Sequence, residues 1–286
     1  MNFSIIIVSW NTKEKLRENL LALSYSSQVV SREIIVIDNA SEDGTVAMVQ
    51  TEFPEVILIR NQENIGFAKA SNQGLRVATG DFLILLNPDM KILTDTLVNL
   101  KKWLDDNPQA DVTGITLIDE HNSLLPQVRK FPSVWTQLAI VLKLPHLFPQ
   151  ILHNYLQVDF DYNQSAIVDS IRGAFFVISR SALSKYGYLD ERYFLWFEEV
   201  DYCKTVKEKG GEVWYTPVAR AIDYVGQSFS QLPRVTKQKY FRNSMVSYFK
   251  KWYPYWQGEI ISLGWEIAEA IVSIGDICNI KPRTKT

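Results

Sequence analysis

Two groups of polar residues in this 286-residue chain have the types and spacing to do chemistry. The first is a series of short polar runs that each follow an apolar one: Ser9-Trp10-Asn11, Asp38-Asn39-Ala40-Ser41, Asn64-Ile65-Gly66 and Asn87-Pro88-Asp89. Asp89 closes LILLNPD, the most apolar of these segments, after a proline that fixes the local backbone. Hard divalent cations such as Mg²⁺ or Mn²⁺ take oxygen ligands, often one or two carboxylates completed by substrate phosphates and water. A carboxylate such as Asp38 can accept from a base or ribose, and Gly66 at the start of a helix lets backbone approach a ligand closely. The second group is Phe194-Leu195-Trp196-Phe197-Glu198-Glu199-Val200-Asp201, three acids in four positions after an aromatic run. Aromatic surroundings desolvate a carboxylate and raise its pKa, as a general base requires, and aromatic faces pack on sugar rings. Glu198 and Glu199 stand about 100° apart on a helix, so one of the two is expected to face a cleft.

The elements that must position these residues alternate. Apolar runs over residues 3–9, 33–38, 55–60 and 81–87 predict strands with both faces covered. Helical patterns over 13–23, 44–52 and 66–78 lie between them, each preceded by a plausible Ser, Thr or Asn cap. Strand and helix in repetition imply right-handed crossovers, a parallel sheet and a ligand cleft beyond the carboxyl ends of the strands. Further on, the pattern predicts a helix to Asp106, a strand over 111–119, an irregular lid-like region over 124–162, strand character in VDSIRGAFFVIS, a helix over 198–209 and the strand EVWYT. Residues 234–256 gather basic and aromatic side chains. Residues 259–278 read as an amphipathic helix with Glu259, Ser262, Glu266 and Glu269 on one face and Ile260, Leu263, Ile267 and Ile271 on the other. That region suits either peripheral contact with an anionic membrane or packing on the catalytic domain or a second copy in a homodimer.

Composition narrows the classes. With 30 basic and 32 acidic side chains the net charge is −2, which offers no global field for nucleic acid. Cys203 and Cys278 match no metal-ligand spacing and are expected as buried thiols in a reducing compartment. The start MNFSIIIVSW lacks the basic region and cleavage site of a signal peptide, and no run reaches the roughly 18 apolar residues of a membrane span. A cytoplasmic protein, peripheral at most on the inner face of the plasma membrane, is expected.

The motifs SIIIVSWN, VIDNASEDGT, NIGFAKASNQG, ATGDFLILLNPDM, GAFFVISRSAL and YGYLDERYFLWFEEVDYCKTVKEKG, in this order, resemble family-2 glycosyltransferases of the GT-A fold, most closely the bacterial rhamnosyltransferase-like branch. The resemblance covers roughly residues 3–230. It implies an α/β, Rossmann-like, mostly parallel sheet flanked by helices over residues 1–230, with a C-terminal helical appendage over 231–286. It further implies an inverting transfer of a sugar, rhamnose among the candidates, from a dTDP- or UDP-linked donor to a glycan or lipid-linked acceptor in cell-surface polysaccharide synthesis. On this resemblance Ser9, Asn11, Asp38, Asn64, Gly66, Lys69, Asn87 and Arg172 bind the nucleotide sugar, and Trp196 and Gly173 meet the acceptor. Asn87-Pro88-Asp89 occupies the DXD position with Asn87 in place of the first acid, which leaves Asp89 as the principal metal ligand. Glu199 matches the general base, with Glu198 beside it and Asp201 in support. Many relatives carry a metal-ligating His three residues before a Gly; here Asp223 precedes Gly226 and is the second candidate ligand. The departures at Asn87 and Asp223 admit an inactive sugar-nucleotide-binding protein as an alternative. A nucleotidyltransferase is disfavoured by the glycine-free SWNTKEKL after the first strand, and no GxGxxG marks a dinucleotide site.

Overall fold

The computed structural model describes residues 2–26, 30–224 and 232–277. In chain order the first half runs β1 (Phe3–Ser9), α1 (Lys13–Tyr25), β2 (Arg32–Asp38), α2 (Thr45–Glu52), β3 (Ile57–Arg60), α3 (Phe67–Val77), β4 (Phe82–Leu86), β5 (Met90–Ile92), α4 (Thr96–Asp106) and β6 (Ala110–Ile118). The second half runs α5 (Val134–Val141), β7 (Ala166–Ile167), β8 (Phe175–Ser179), α6 (Arg180–Tyr186), α7 (Glu198–Glu208), β9 (Glu212–Asp223), α8 (Arg234–Trp252) and α9 (Tyr255–Ile277).

Among the described residues nine strands form one sheet in the order β3-β2-β1-β4-β8-β6-β9-β5, with β7 added along β9. The first four are parallel, as the alternation requires. β8 is then inserted antiparallel between β4 and β6, while β6 and β9 are parallel to each other. The period of two distributes each strand between two cores. Ile5, Ile7, Val36, Ile84 and Leu86 face one side, under α1, α2 and α4. Ile6, Ile35, Ile37, Leu83 and Leu85 face the other, under α3, α6 and α7. At about 1.5–3 kcal/mol for each fully buried aliphatic side chain, this two-sided burial holds the strand ends in a fixed row.

The structure corrects several expectations. The region read as irregular contains α5, started by a reciprocal capping box between Ser133 and Thr136, and two short 3-10 turns. The strand EVWYT continues to Asp223, passing Pro217 through a break in register between Ile115 and Thr116 of β6, where a bulge tolerates a residue with no N–H. The C-terminal segment is two helices, not one. Met245, Tyr248 and Phe249 of α8 and Ile261 and Trp265 of α9 close a third core on Val134 and Val141 of α5 and on Tyr193 and Phe197. The buried stripe of α9 is therefore Ile261–Trp265, while Leu263 and Ile267, expected on its apolar face, are exposed. Cys203 is a buried thiol whose pKa burial pushes far up. Cys278 and the Gly226–Ser228 part of the motif after Asp223 lie outside the described residues.

Candidate active site

The carboxyl ends of β1, β2 and β4 open on a cleft of about 860 Å³, open mouth included, whose walls include Trp10, Asn39, Asn64, Asn87, Phe194 and Tyr240. The loops around it are cross-braced. Asn11, at φ 51°, receives Glu42 N–H on its side-chain oxygen at 2.7 Å and donates its own N–H to Ser41 Oγ at 2.9 Å. Ser9 is fully buried and paired with Thr12 Oγ1 at 2.9 Å, so Thr12 rather than Ser9 reaches the cleft wall. Asp38 is buried beside the cleft. Its Oδ2 accepts from Ser41 N–H at 3.1 Å, and among the described residues its buried Oδ1 has no donor. Asn39 organises the far wall: its amide donates to Asn64 Oδ1 at 2.9 Å, and its oxygen accepts from Asn61 at 3.0 Å and from Ile65 N–H at 3.2 Å. The sequence reading omitted Asn39 as a site residue, although it stands next to Asp38. Gly66 adopts φ 87°, and Phe67 N–H after it donates to Phe194 O at 2.7 Å, which joins the donor-side loop to the aromatic run. Lys69 is exposed on α3, where its charge acts on Glu191; it lines neither this cleft nor the cavity beside it.

That second cavity shares Phe67, Asn87 and Leu195 with the cleft and is otherwise lined by Arg172, Gly173, Ala174, Trp196, Glu198 and Glu199. The expectation that only one glutamate faces the site is corrected here, since both line the cavity. Trp196 and Phe197 both take left-handed φ, at 65° and 71°, costly for bulky residues. This reversal swings the first turn of α7 round so that consecutive side chains reach one space. Glu198 is 5 % exposed, and burial, then the neighbouring charge of Glu199, push its carboxyl well above the ordinary range. Burial also raises Glu199, against the opposing pull of the Arg172 guanidinium and a hydrogen bond from Glu198. One oxygen of each carboxyl is buried with no donor among the described residues. Burial thus raises both carboxyls and sets the pair to share a proton.

Asp89 and Asp223 are brought together by the pairing of β5 with β9. Met90 lies opposite Asp223, and Tyr224 N–H donates to Asp89 O at 3.3 Å. Both acids are 2 % exposed, and Arg172 Nη2 sits 3.1 Å from Asp223 Oδ2. Among the described residues no three His, Cys, Asp or Glu side chains form a metal cage. Two acids on adjoining strands, one of them already paired with Arg172, give a hard-oxygen donor set that fits a divalent cation only if a diphosphate and water complete its shell. Asp201 lies apart from this chemistry. It is buried and bonded to Tyr193, Lys251 and Trp252, so its expected support of the base is not by direct contact within the cavity.

This sheet is that of the GT-A fold. It is similar to a crystal structure of GalNAc-T7 with UDP, GalNAc and Mn²⁺, at TM-score 0.63 and 16 % identity over 86 % of this chain and 48 % of that one. It is also similar to the mannosyltransferase PcManGT from Pyrobaculum calidifontis in complex with GDP-Man and Mn²⁺, at TM-score 0.57 and 17 % identity over 96 % of this chain and 75 % of that one. Residues 4–187 match the glycosyl transferase family 2 model, and the chain belongs to that family. It is 39 % identical over 118 residues to the uncharacterized glycosyltransferase YfnE of Bacillus subtilis, covering 40 % of this chain and only 30 % of that protein. It is 24 % identical over 243 residues to the N-acetylglucosaminyl-diphospho-decaprenol L-rhamnosyltransferase of Mycobacterium tuberculosis, covering 80 % of this chain and 78 % of that protein.

Proposed function

We propose that this chain transfers a sugar, with inversion, from a nucleoside-diphosphate sugar to a hydroxyl of a glycan or lipid-linked acceptor. The observation that carries the reading is the buried Glu198–Glu199 pair in a cavity that joins the larger cleft through Asn87. In this reading the nucleoside lies against Trp10, Asn39 and Asn64, with the orphan oxygen of Asp38 as an acceptor for a base or ribose donor. The anomeric carbon then lies near Asn87. Glu199 takes the proton of the acceptor hydroxyl as its oxygen bonds to that carbon, and the bond from the carbon to the donor phosphate breaks on the opposite face. Glu198, held protonated, keeps the second charge out of the cavity, and Arg172 opposes the charge that grows on the leaving diphosphate. A divalent cation held by Asp89 and Asp223 would supply further neutralisation of that charge. Mn²⁺ in the two solved structures supports such a cation.

Similarity to the mycobacterial rhamnosyltransferase supports rhamnosyl transfer to a lipid-linked acceptor, and UDP in the GalNAc-T7 structure supports a nucleoside-diphosphate-linked donor. Among the described residues no helix is long and apolar enough to cross a membrane. In this reading a lipid-linked acceptor is met at the protein's surface. Trp135 of α5, Leu147 and Phe148 after it, and Leu263 and Ile267 of α9 are exposed at 45–74 %, which supports peripheral contact there. A panel of nucleotide sugars, with and without Mn²⁺, scored by thermal shift and by slow donor hydrolysis, tests the reading. A rise in Tm and release of nucleoside diphosphate with one donor are expected, and no response to any nucleotide refutes it. Flotation of the full chain on anionic and neutral liposomes tests the surface contact, which is refuted if neither carries it.

A further inference from the structure

Asp201 is an acid with no place in the cavity, yet it lies on the same helical turn as the two glutamates that have one. Its two oxygens are fully engaged. Oδ1 accepts from Tyr193 OH at 3.0 Å and from Trp252 Nε1 at 2.6 Å, and Oδ2 accepts from Lys251 Nζ at 2.7 Å. Lys251 also reaches Asp190 Oδ2 at 2.8 Å. A carboxylate in the first turn of a helix ordinarily serves the helix's own N–H groups and dipole. This one instead ties three elements together: α7, the aromatic run before it and the last turn of α8.

The run held this way is the strained one. Between Tyr193 and Asp201 lie Trp196 and Phe197, with their left-handed φ of 65° and 71°, and such a turn persists only where its surroundings over-determine it. α8 supplies those surroundings. Ser244 Oγ donates to Leu195 O at 2.8 Å, Phe197 packs on Tyr248 at 5.4 Å, and Phe194 stacks on Tyr240 at 4.3 Å. One turn further along α7, Lys204 Nζ stands 4.2 Å over the ring of Tyr253 and 5.4 Å over that of Trp252. The C-terminal helix and the direction of the glutamates are mechanically one unit.

We propose that Asp201 is a positioning residue: by clamping Lys251 and Trp252 of α8 to Tyr193, it holds the turn that aims Glu198 and Glu199 into the cavity. This rests on the reading of Glu199 as general base, and it makes the last turn of α8, fifty residues further along the chain, part of the transfer machinery. Asp201 and its partners Tyr193, Lys251 and Trp252 line neither the donor cleft nor the second cavity, although the run they hold reaches the cleft at Phe194. Loosening the clamp therefore slows the chemical step and leaves donor affinity in place.

The test compares Asp201→Asn, Lys251→Met, Lys251→Arg, Trp252→Phe and Glu199→Gln in the full chain. Nucleoside diphosphate release is measured from the sugar nucleotide that most raises Tm, and donor Kd by calorimetry. Asp201→Asn and Lys251→Met are expected to lose at least 10-fold in kcat with donor Kd within 3-fold, and Lys251→Arg to regain most of the rate because it keeps the ion pair. The clamp is overturned if Glu199→Gln is inactive while both clamp variants run at the parent rate. It is also overturned if the clamp variants lose rate only in proportion to lost folded protein, or lose donor binding equally. A fully active Glu199→Gln instead overturns the base assignment, separately from the clamp.

Discussion

Two glycines separate backbone strain from a packing contact that joins the donor side of the site to its catalytic side. Gly66 lies at φ 87°, ψ 167° and Gly187 at φ 88°, ψ −163°, both in a region open essentially to glycine alone. Replacing either with Ala forces a Cβ into that region, at about 1–3 kcal/mol. The surroundings differ. A Cβ on Gly187 would meet nothing within 4 Å, whereas one on Gly66 would stand 2.7 Å from Phe194 O and 2.9 Å from Phe194 Cδ2. Contacts that short do not persist, and the nearest atom in the way is backbone rather than a side-chain tip, so the Phe194 segment must move. Overpacking of this kind costs a further 1–3 kcal/mol or so. Gly66→Ala is therefore expected to lie below Gly187→Ala by roughly 2–12 °C in Tm, at about 2–4 °C per kcal/mol for a chain of this size.

The functional consequence is sharper than the thermal one. Moving Phe194 stretches the 2.7 Å bond from Phe67 N–H and shifts a residue of the cleft wall, so Gly66→Ala should weaken donor binding while Gly187→Ala should not. Scanning calorimetry of both variants, with donor titration into each, reads the two effects. Equal losses in Tm together with equal donor affinity would refute the claim that Gly66 is needed for its approach to Phe194.

Glu199→Gln should lower turnover by about 10²-fold or more, the usual worth of a general base, with donor affinity kept; parent turnover in that variant would sink the assignment. Because burial raises the Glu199 carboxyl and the base must be ionised to act, the acid limb of kcat against pH should lie above the ordinary carboxylate value of 4.5, and a limb at or below that value would contradict the buried pair. Glu198 is also raised, so the folded protein holds a proton that the unfolded chain releases near pH 4.5, and stability contributed by that proton is lost as pH rises through the raised value. Glu198→Gln should therefore raise Tm more at pH 8 than at pH 5, and a pH-independent difference would refute the sign. Gly173→Ala places a Cβ at 3.4 Å from Glu199 Cβ, an ordinary contact, so Tm should hold while acceptor KM rises; an unchanged acceptor KM would place the acceptor elsewhere.

The parallel half of the sheet was legible because β1, β2 and β4 are aliphatic runs buried on both faces; β3, expected to be covered likewise, lies at the sheet edge with Ile57 43 % exposed. The donor-side candidates Asn64, Gly66 and Asn87 were legible for the same reason, as they follow those strands directly. What escaped depends on contacts distant in sequence. α5 is short and follows Phe131-Pro132, and its capping box uses a Thr where Glu or Gln is the usual signal. The outward turn of Leu263 and Ile267 could not be read from α9 alone, because Gly264 and Trp265 are chosen by the surface of α5, where a Cβ on Gly264 would stand 2.5 Å from Leu138. Asp201 read as a catalytic acid because its neighbours do, and only the arrival of Lys251 and Trp252 from fifty residues away shows its partners.

The antiparallel insertion of β8 is what turns a nucleotide-type sheet into a two-cavity site. In a wholly parallel sheet the strand after β4 would end beside it and begin at the far edge. β8 runs the other way, so its start lies against the end of β4: Leu86 pairs with Phe175, and Asn87 N–H donates to Ala174 O at 3.0 Å. Arg172 and Gly173, just before β8, are thereby delivered to the edge that already carries Asn64 and Asn87. β6 reverses direction again, and β9 follows it in parallel, so Asp223 at the end of β9 returns to that edge beside Asp89. Two of the strands beyond β4, β8 and β9, thus bring a cation, a small wall residue and a second carboxylate to one edge of the sheet. The reversal explains why residues 85 to 134 positions apart, Asn87 with Arg172 and Asp89 with Asp223, meet at one edge of the sheet.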